Sequence, residues 1–141
     1  MSNLYDSSAI FRAIKENTVE ALLGNYTTEL ARYELGNTIW KKTILQKEIT
    51  YDESKKLIRL LKQVLYLMET LRTDCQEEQI LDLAGKLKLT FYDASYVFHA
   101  KERNLTLVTE DETLTKKASA HKVLGISEEL SKKPHISLGV G

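Results

Sequence analysis

The stretch FYDASYVFHAKERNLTLVTED, residues 91–111, holds an extended piece, a helix and a buried strand in succession. Phe91-Tyr92 is expected to be extended, Asp93 opens a helix that runs over 93–103, and Asn104 ends it. Residues 105–109 are then a short apolar strand. Strand, helix and strand in this order are the building unit of an α/β fold with a parallel sheet.

The rest of the chain repeats this alternation. Leu4 and Tyr5 precede Asp6-Ser7-Ser8, after which Ile10, Phe11 and Ile14 recur at helical spacing, so a short first strand passes into a helix at Asp6. Asn17 or Gly24 closes that unit. Residues 25–28 read as a second strand, and Leu30, Ala31, Leu35, Ile39 and Trp40 mark one face of a second helix. Thr50 and Glu53 have capping-box spacing and lead into Leu57, Ile58, Leu61, Val64, Leu65 and Met68, the longest helix. Asp74 is placed to cap the next, which carries Ile80, Leu81, Leu83, Ala84 and Leu87. Residues 112–120 read as a further helix and 123–126 as a last strand. The expected architecture is a three-layer α/β sandwich, a short-stranded, mainly parallel sheet flanked by helices, with one domain over 1–130 and a tail of uncertain order over 131–141.

Composition narrows the function. The 141 residues include 20 Lys+Arg and 20 Asp+Glu, for a formal net charge of zero, so nucleic acid cannot be held by bulk positive charge and would need a local patch. A hydrophobic share of 43% with 6 Gly and 1 Pro suffices for a real core. No apolar run approaches the roughly 20 residues of a bilayer span, and the start of the chain has no basic segment leading into an apolar one. Cys75 is the only cysteine, which excludes an intrachain disulfide and a thiolate zinc site and fits a cytoplasmic location. It reads as a small, buried or partly buried thiol.

The acids carry the chemistry. Asp6 follows the first strand, and Asp111 lies just beyond the strand 105–109, so a parallel sheet brings both to its carboxyl edge. Asp93 begins the helix that crosses back before that strand, which returns it to the same edge. Glu34 sits among Leu30, Ala31 and Leu35, close enough to the apolar face to point inward. Taken singly, the three aspartates suit helix N-termini and Glu34 suits a surface. Taken together, converging carboxylates repel one another and call for a cation. With oxygen donors and no His or Cys beside them, the cation is a hard one, Mg²⁺ or Mn²⁺, which suits hydrolysis of a phosphodiester backbone.

With these residues in place the chain resembles the PIN-domain nucleases, particularly the VapC-like toxins of prokaryotic toxin–antitoxin pairs. The carriers are Leu4-Tyr5-Asp6-Ser7-Ser8-Ala9-Ile10, Leu30-Ala31-Arg32-Tyr33-Glu34-Leu35, Tyr92-Asp93-Ala94-Ser95-Tyr96 and Leu107-Val108-Thr109-Glu110-Asp111, and the likeness spans 3–126. It implies a PIN-like fold and a metal-dependent endoribonuclease whose catalytic and metal-binding residues are Asp6, Glu34, Asp93 and Asp111. Thr109 matches the family's Thr-x-Asp step and would fix the orientation of Asp6; Ser7 or Ser8 would serve similarly or cap the first helix. One departure is the acidic flank of Asp111, since either Glu110 or Glu112 would serve in its place.

Basic help for RNA would come from Arg12, Lys15, Arg32, Lys101 and Lys116. His99, His121 and His135 lack metal-ligand spacing and read as packing or surface residues, and Trp40, Tyr26, Tyr92 and Tyr96 read as core or interface aromatics. The helix 57–68 has apolar residues beyond one stripe, with Leu61 and Leu65 expected on its exposed arc. That surplus suits a homodimer or the antitoxin that the resemblance implies. The competing reading is a PIN-like module that binds protein or RNA and cleaves nothing. A receiver-like signalling domain also places acids at strand ends, but Asp6 lacks an adjacent acidic partner.

Overall fold

The computed structural model describes residues 2–121 and 123–125. The expected tail, residue 126 and His135 lie outside the described residues. In chain order the elements are β1 (Asn3–Tyr5), α1 (Ser7–Lys15), a 3₁₀ turn (Val19–Ala21), β2 (Tyr26–Thr28) and α2 (Glu29–Trp40), which continues into a π-helical turn (Lys41–Leu45). Then come α3 (Tyr51–Tyr66), β3 (Glu69–Leu71), α4 (Glu77–Leu87), α5 (Phe91–Glu102), β4 (Thr106–Thr109), α6 (Glu112–Lys117) and β5 (Val123–Gly125).

The strands form one sheet in the order β3-β2-β1-β4-β5, and every pairing is parallel. β1 and β4 lie at its centre, Leu4 opposite Leu107 and Tyr5 opposite Val108. Because side chains alternate across a strand, each of these pairs serves a different layer. Tyr5 and Val108 pack with Ile10, Leu35, Leu61 and Leu65 from α1, α2 and α3. Leu4 and Leu107 pack with Leu83, Tyr96, Val97 and Leu114 from α4, α5 and α6. The three-layer α/β sandwich is therefore as expected, and its central strands are apolar on both faces because helices cover both.

Local chemistry explains the boundaries. The Thr50 hydroxyl accepts from Glu53 N at 3.1 Å while Glu53 Oε1 accepts from Thr50 N at 2.8 Å, a complete capping box for α3. Asn104, at φ 56°, ends α5 as expected.

Several expectations are corrected. Phe91 and Tyr92 are helical, because Thr90 accepts from Asp93 N at 3.1 Å and moves the cap of α5 upstream. The strand preceding β4 is instead β3, whose one buried residue is Leu71; an edge strand of three residues gives no alternation to read. Asp74 does not cap α4. Cys75 adopts φ 65° between them, Gln76 is the N-cap, and Asp74 pairs with Arg72 at 3.2 Å. Cys75 itself is exposed rather than buried. Leu61 and Leu65 are core residues, each 4% exposed, and the outer arc of α3 carries Ile58, Leu60, Tyr66 and, just beyond, Leu67. Helix α6 ends at Lys117, short of residue 120. Among the described residues no helix is long and apolar enough to cross a membrane.

Candidate active site

Asp6 is the first residue after β1, anchored by its N–H on Val108 O at 3.1 Å. Its carboxylate caps α1 by accepting from Ala9 N at 3.0 Å on Oδ1, and the same oxygen accepts from the Ser8 hydroxyl at 2.7 Å. Oδ2 accepts from the Thr109 hydroxyl, which in turn accepts from Asp111 N at 3.0 Å. Ser8 Oγ likewise accepts from Glu110 N at 2.9 Å. The turn after β4 thus fixes two hydroxyls, and the hydroxyls fix Asp6. At 4% exposure the carboxyl pays for leaving water, and its pKa rises from 3.8 to about 6. Burial is the main cause and the Glu34 charge adds to it; the bonds from Ser8, Thr109 and Ala9 oppose it without prevailing.

Glu34 enters from the second turn of α2. Its Oε1 accepts from the Ser7 hydroxyl at 2.9 Å and from Tyr96 Oη at 2.7 Å, which ties α1, α2 and α5 together at this edge. Ser7 therefore serves Glu34, and Ser8 serves Asp6. Tyr96 is 1% exposed, and burial together with the Glu34 charge holds its phenol well above the ordinary range, so it stays a proton donor. From sequence alone Tyr96 reads as a core or interface aromatic, with no bond to a carboxylate expected. The overlooked signal is spacing, since Tyr96 follows Asp93 by three residues and shares its helix face.

Asp93, half-buried in the first turn of α5, has its pKa raised by burial and then by the charges of Asp111 and Glu34; Thr90 and Lys117 oppose this. Asp111 is exposed and caps α6, its Oδ1 accepting from Thr113 N at 2.9 Å and Leu114 N at 3.2 Å. Capping and membership of the acidic group thus coexist in Asp6 and Asp111. Glu110 turns away to pair with Arg12, which also pairs with Glu16. Of the basic residues picked from sequence, Arg12 is consumed by these acids, Lys15 lies 5.9 Å from the Phe11 ring centre, and Lys101 lines a cavity with Leu105 and His121. The cation that acts on Asp93 is Lys117, whose Nζ donates to Lys88 O at 2.9 Å. His99 is buried and bonded to Thr73 at 2.8 Å, a packing role.

Among the described residues no three ligating side chains are grouped closely enough to grip an ion unaided. The donor set nevertheless suits a hard divalent cation. Every group is a carboxylate oxygen, none of the four acids has an ion pair with Lys or Arg among the described residues, and the two with raised pKa owe part of the shift to their acidic neighbours. Two side chains with water completing the shell is the ordinary way such an ion is held.

The PIN domain family model matches residues 4–120. The chain belongs to the PIN domain family. A relative from Pyrobaculum aerophilum named exonuclease VapC9 is 35% identical over 121 residues, covering 81% of this chain and 84% of that protein. The crystal structure of PAE2754 from the same organism superposes with a TM-score of 0.78 at 27% identity, over 94% of each chain. A toxin–antitoxin complex from Klebsiella pneumoniae includes a chain similar in fold at TM-score 0.64 and 19% identity, over 89% of this chain and 98% of that one. PIN nucleases use divalent metal ions, in keeping with the donor chemistry above.

Proposed function

We propose that this PIN-domain protein is a Mg²⁺- or Mn²⁺-dependent endoribonuclease, the cytoplasmic toxin of a toxin–antitoxin pair, with Asp6, Glu34, Asp93 and Asp111 as its catalytic and metal-holding residues. The observation that carries the reading is Asp6: a carboxyl buried to 4% exposure, oriented by two hydroxyls, with a pKa near 6 and the Glu34 charge acting on it. Such a group is costly to the fold and is understandable as a ligand. Asp6 and Asp93 would hold the ion, with Glu34 and Asp111 reaching it through water. When bound, the ion supplies an acidified water and neutralises charge on the phosphate. Ser8 and Thr109 keep the Asp6 oxygens aimed, and Ser7 and Tyr96 do the same for Glu34. Lys117 lies near enough to Asp93 to offset negative charge where the substrate approaches. For partners, the exposed Trp40, Ile44 and Leu45 at the end of α2 and its π-helical turn give apolar surface to an antitoxin or to a second copy in a homodimer.

Metal removal is the direct test. Chelation should abolish cleavage of a single-stranded RNA, and Mn²⁺ or Mg²⁺ should restore it. A circular RNA has no ends, so its cleavage separates an endonuclease from the exonuclease activity in the name of the Pyrobaculum relative. Folded, metal-loaded protein that cuts neither substrate would leave the binding-module reading.

Tyr96→Phe tests the positioning of Glu34. It removes one of two donors to Oε1 and should cost stability by about 1 kcal/mol. It should also raise the metal concentration needed for half-maximal activity several-fold. An unchanged metal requirement alongside the stability loss would reduce Tyr96 to a packing residue.

A further inference from the structure

A groove of about 670 Å³ lies on the outer side of the α2–α3 pair, lined by Arg32, Arg59, Lys62, Gln63, Tyr66 and Leu67. It belongs to none of the acidic pocket's elements except α2. Arg59, Lys62, Gln63 and Tyr66 stand at i, i+3, i+4 and i+7 on α3, one continuous stripe about 10 Å long, and Arg32 faces it from α2. The stripe and Arg32 together bring three cations and no carboxylate to the groove. Ion pairs among the described residues engage Arg12, Lys42 and Arg72, and none engages Arg32, Arg59 or Lys62. In a chain of zero net charge, this is a local positive patch without ion-pair partners among the described residues.

Two exposed aromatic rings accompany the cations. Tyr66 is 87% exposed within the groove, and Tyr33 is 74% exposed on α2. Successive helical residues are about 100° apart, so Arg32, Tyr33 and Glu34 stand in order around α2, from the groove, over the outer surface, to the acidic pocket. A flexible polyanion lying in the groove reaches the carboxylates by crossing Tyr33. Without its ion the acidic pocket repels phosphate, so in the metal-free protein binding energy for such a ligand has to come from outside it.

We propose that this groove is the track on which single-stranded RNA docks. Arg32, Arg59 and Lys62 hold its phosphates, and Tyr66 and then Tyr33 offer ring faces to its bases on the way to the acidic pocket. The inference rests on the reading of the chain as an RNA hydrolase. An acidic polypeptide would use the cations equally well, but it would gain no base stacking from two exposed rings, which is why the observations favour RNA.

The test is fluorescence anisotropy of a labelled single-stranded RNA about 12 nucleotides long, with the full chain in chelator so that nothing is cut. Arg59→Glu/Lys62→Glu should weaken binding at least tenfold and make the slope of log affinity against log salt shallower by about 1.4, the value for two phosphate contacts on a single strand. Tyr66→Ala should weaken it at least about fivefold with little change in that slope. Lys86→Glu/Arg103→Glu, at exposed positions on α4 and at the end of α5, matches the charge change and should leave binding within about twofold of wild type. Thermal melts confirm that each variant folds, and metal-loaded cleavage assays report KM in parallel.

Equal weakening by the two double variants would reduce the effect to bulk charge and overturn the proposal. So would unchanged RNA affinity in Arg59→Glu/Lys62→Glu, or a loss in that variant with none in Tyr66→Ala when a labelled poly-glutamate peptide is lost in step, which would assign the groove to an acidic protein. The two readings fail separately. Wild type that binds RNA through the groove but cuts none keeps the track and removes the hydrolase, whereas wild type that cuts RNA with unchanged KM in the groove variants does the reverse.

Discussion

Asp6→Asn is expected to lower metal-dependent RNA hydrolysis at least about a hundredfold, close to 2.7 kcal/mol of barrier, in a protein that remains folded. The substitution suits the question because asparagine is an equally good N-cap. Its carbonyl oxygen still accepts from Ala9 N and from Ser8, so α1 keeps its start. What disappears is the negative charge and the second oxygen that Thr109 orients. Asp93→Asn should behave alike, since Asp93 lies in the first turn of a helix already capped by Thr90. Because both residues would serve one ion, the double variant should be little worse than either single one. Activity and melting temperature falling together in both variants would return these residues to a capping role. Equal cleavage by wild type and variants would indicate a contaminating nuclease.

The contrast between these aspartates and Tyr96 bears on what a sequence displays. Asp6, Asp93 and Asp111 were legible because each sits where an element changes, at a strand end or helix start, and topology alone carries such positions to one edge of a parallel sheet. Glu34 was legible more weakly, by its place beside an apolar stripe. Tyr96 was not, because a buried aromatic at helical spacing looks the same whether its hydroxyl is bonded to a carboxylate or to nothing of consequence. Its partner lies 62 residues away in sequence. The pairing of Glu110 with Arg12 was hidden for the same reason, spanning 98 residues between β4's turn and α1. For the fold, strands apolar on both faces announced themselves, as at Leu4-Tyr5 and Leu107-Val108. β3 did not, since Glu69 and Thr70 are exposed at the sheet edge and its hydrogen bonds come from the backbone, about which side-chain pattern says nothing.

The metal-free protein should be more stable in mild acid than at neutral pH as far as Asp6 is concerned, and Mn²⁺ should reverse that order. Asp6 binds its proton with a pKa of about 6 in the folded state against 3.8 ordinarily. Below pH 3.8 both states hold the proton and the group contributes no pH dependence. Between 3.8 and about 6 the folded state holds more protons than the unfolded one, so stability falls as pH rises through this window. Above it the loss is complete, about 3 kcal/mol at neutral pH. Asp6→Asn removes the penalty, so the metal-free variant should melt higher than wild type at pH 7.5, with the gap closing near pH 4. A bound divalent ion offsets the same penalty by replacing the proton. Mn²⁺ should therefore raise the wild-type melting temperature more at pH 7.5 than at pH 5, in step with occupancy. Glu34→Gln should weaken the response and Asp6→Asn should abolish it. Thermal shift across a Mn²⁺ titration at both pH values measures all of this. A wild-type melting curve indifferent to Mn²⁺ at pH 7.5 would remove the metal from Asp6, and a metal-free Asp6→Asn variant less stable than wild type would mean that its three hydrogen bonds outweigh the cost of burying its charge.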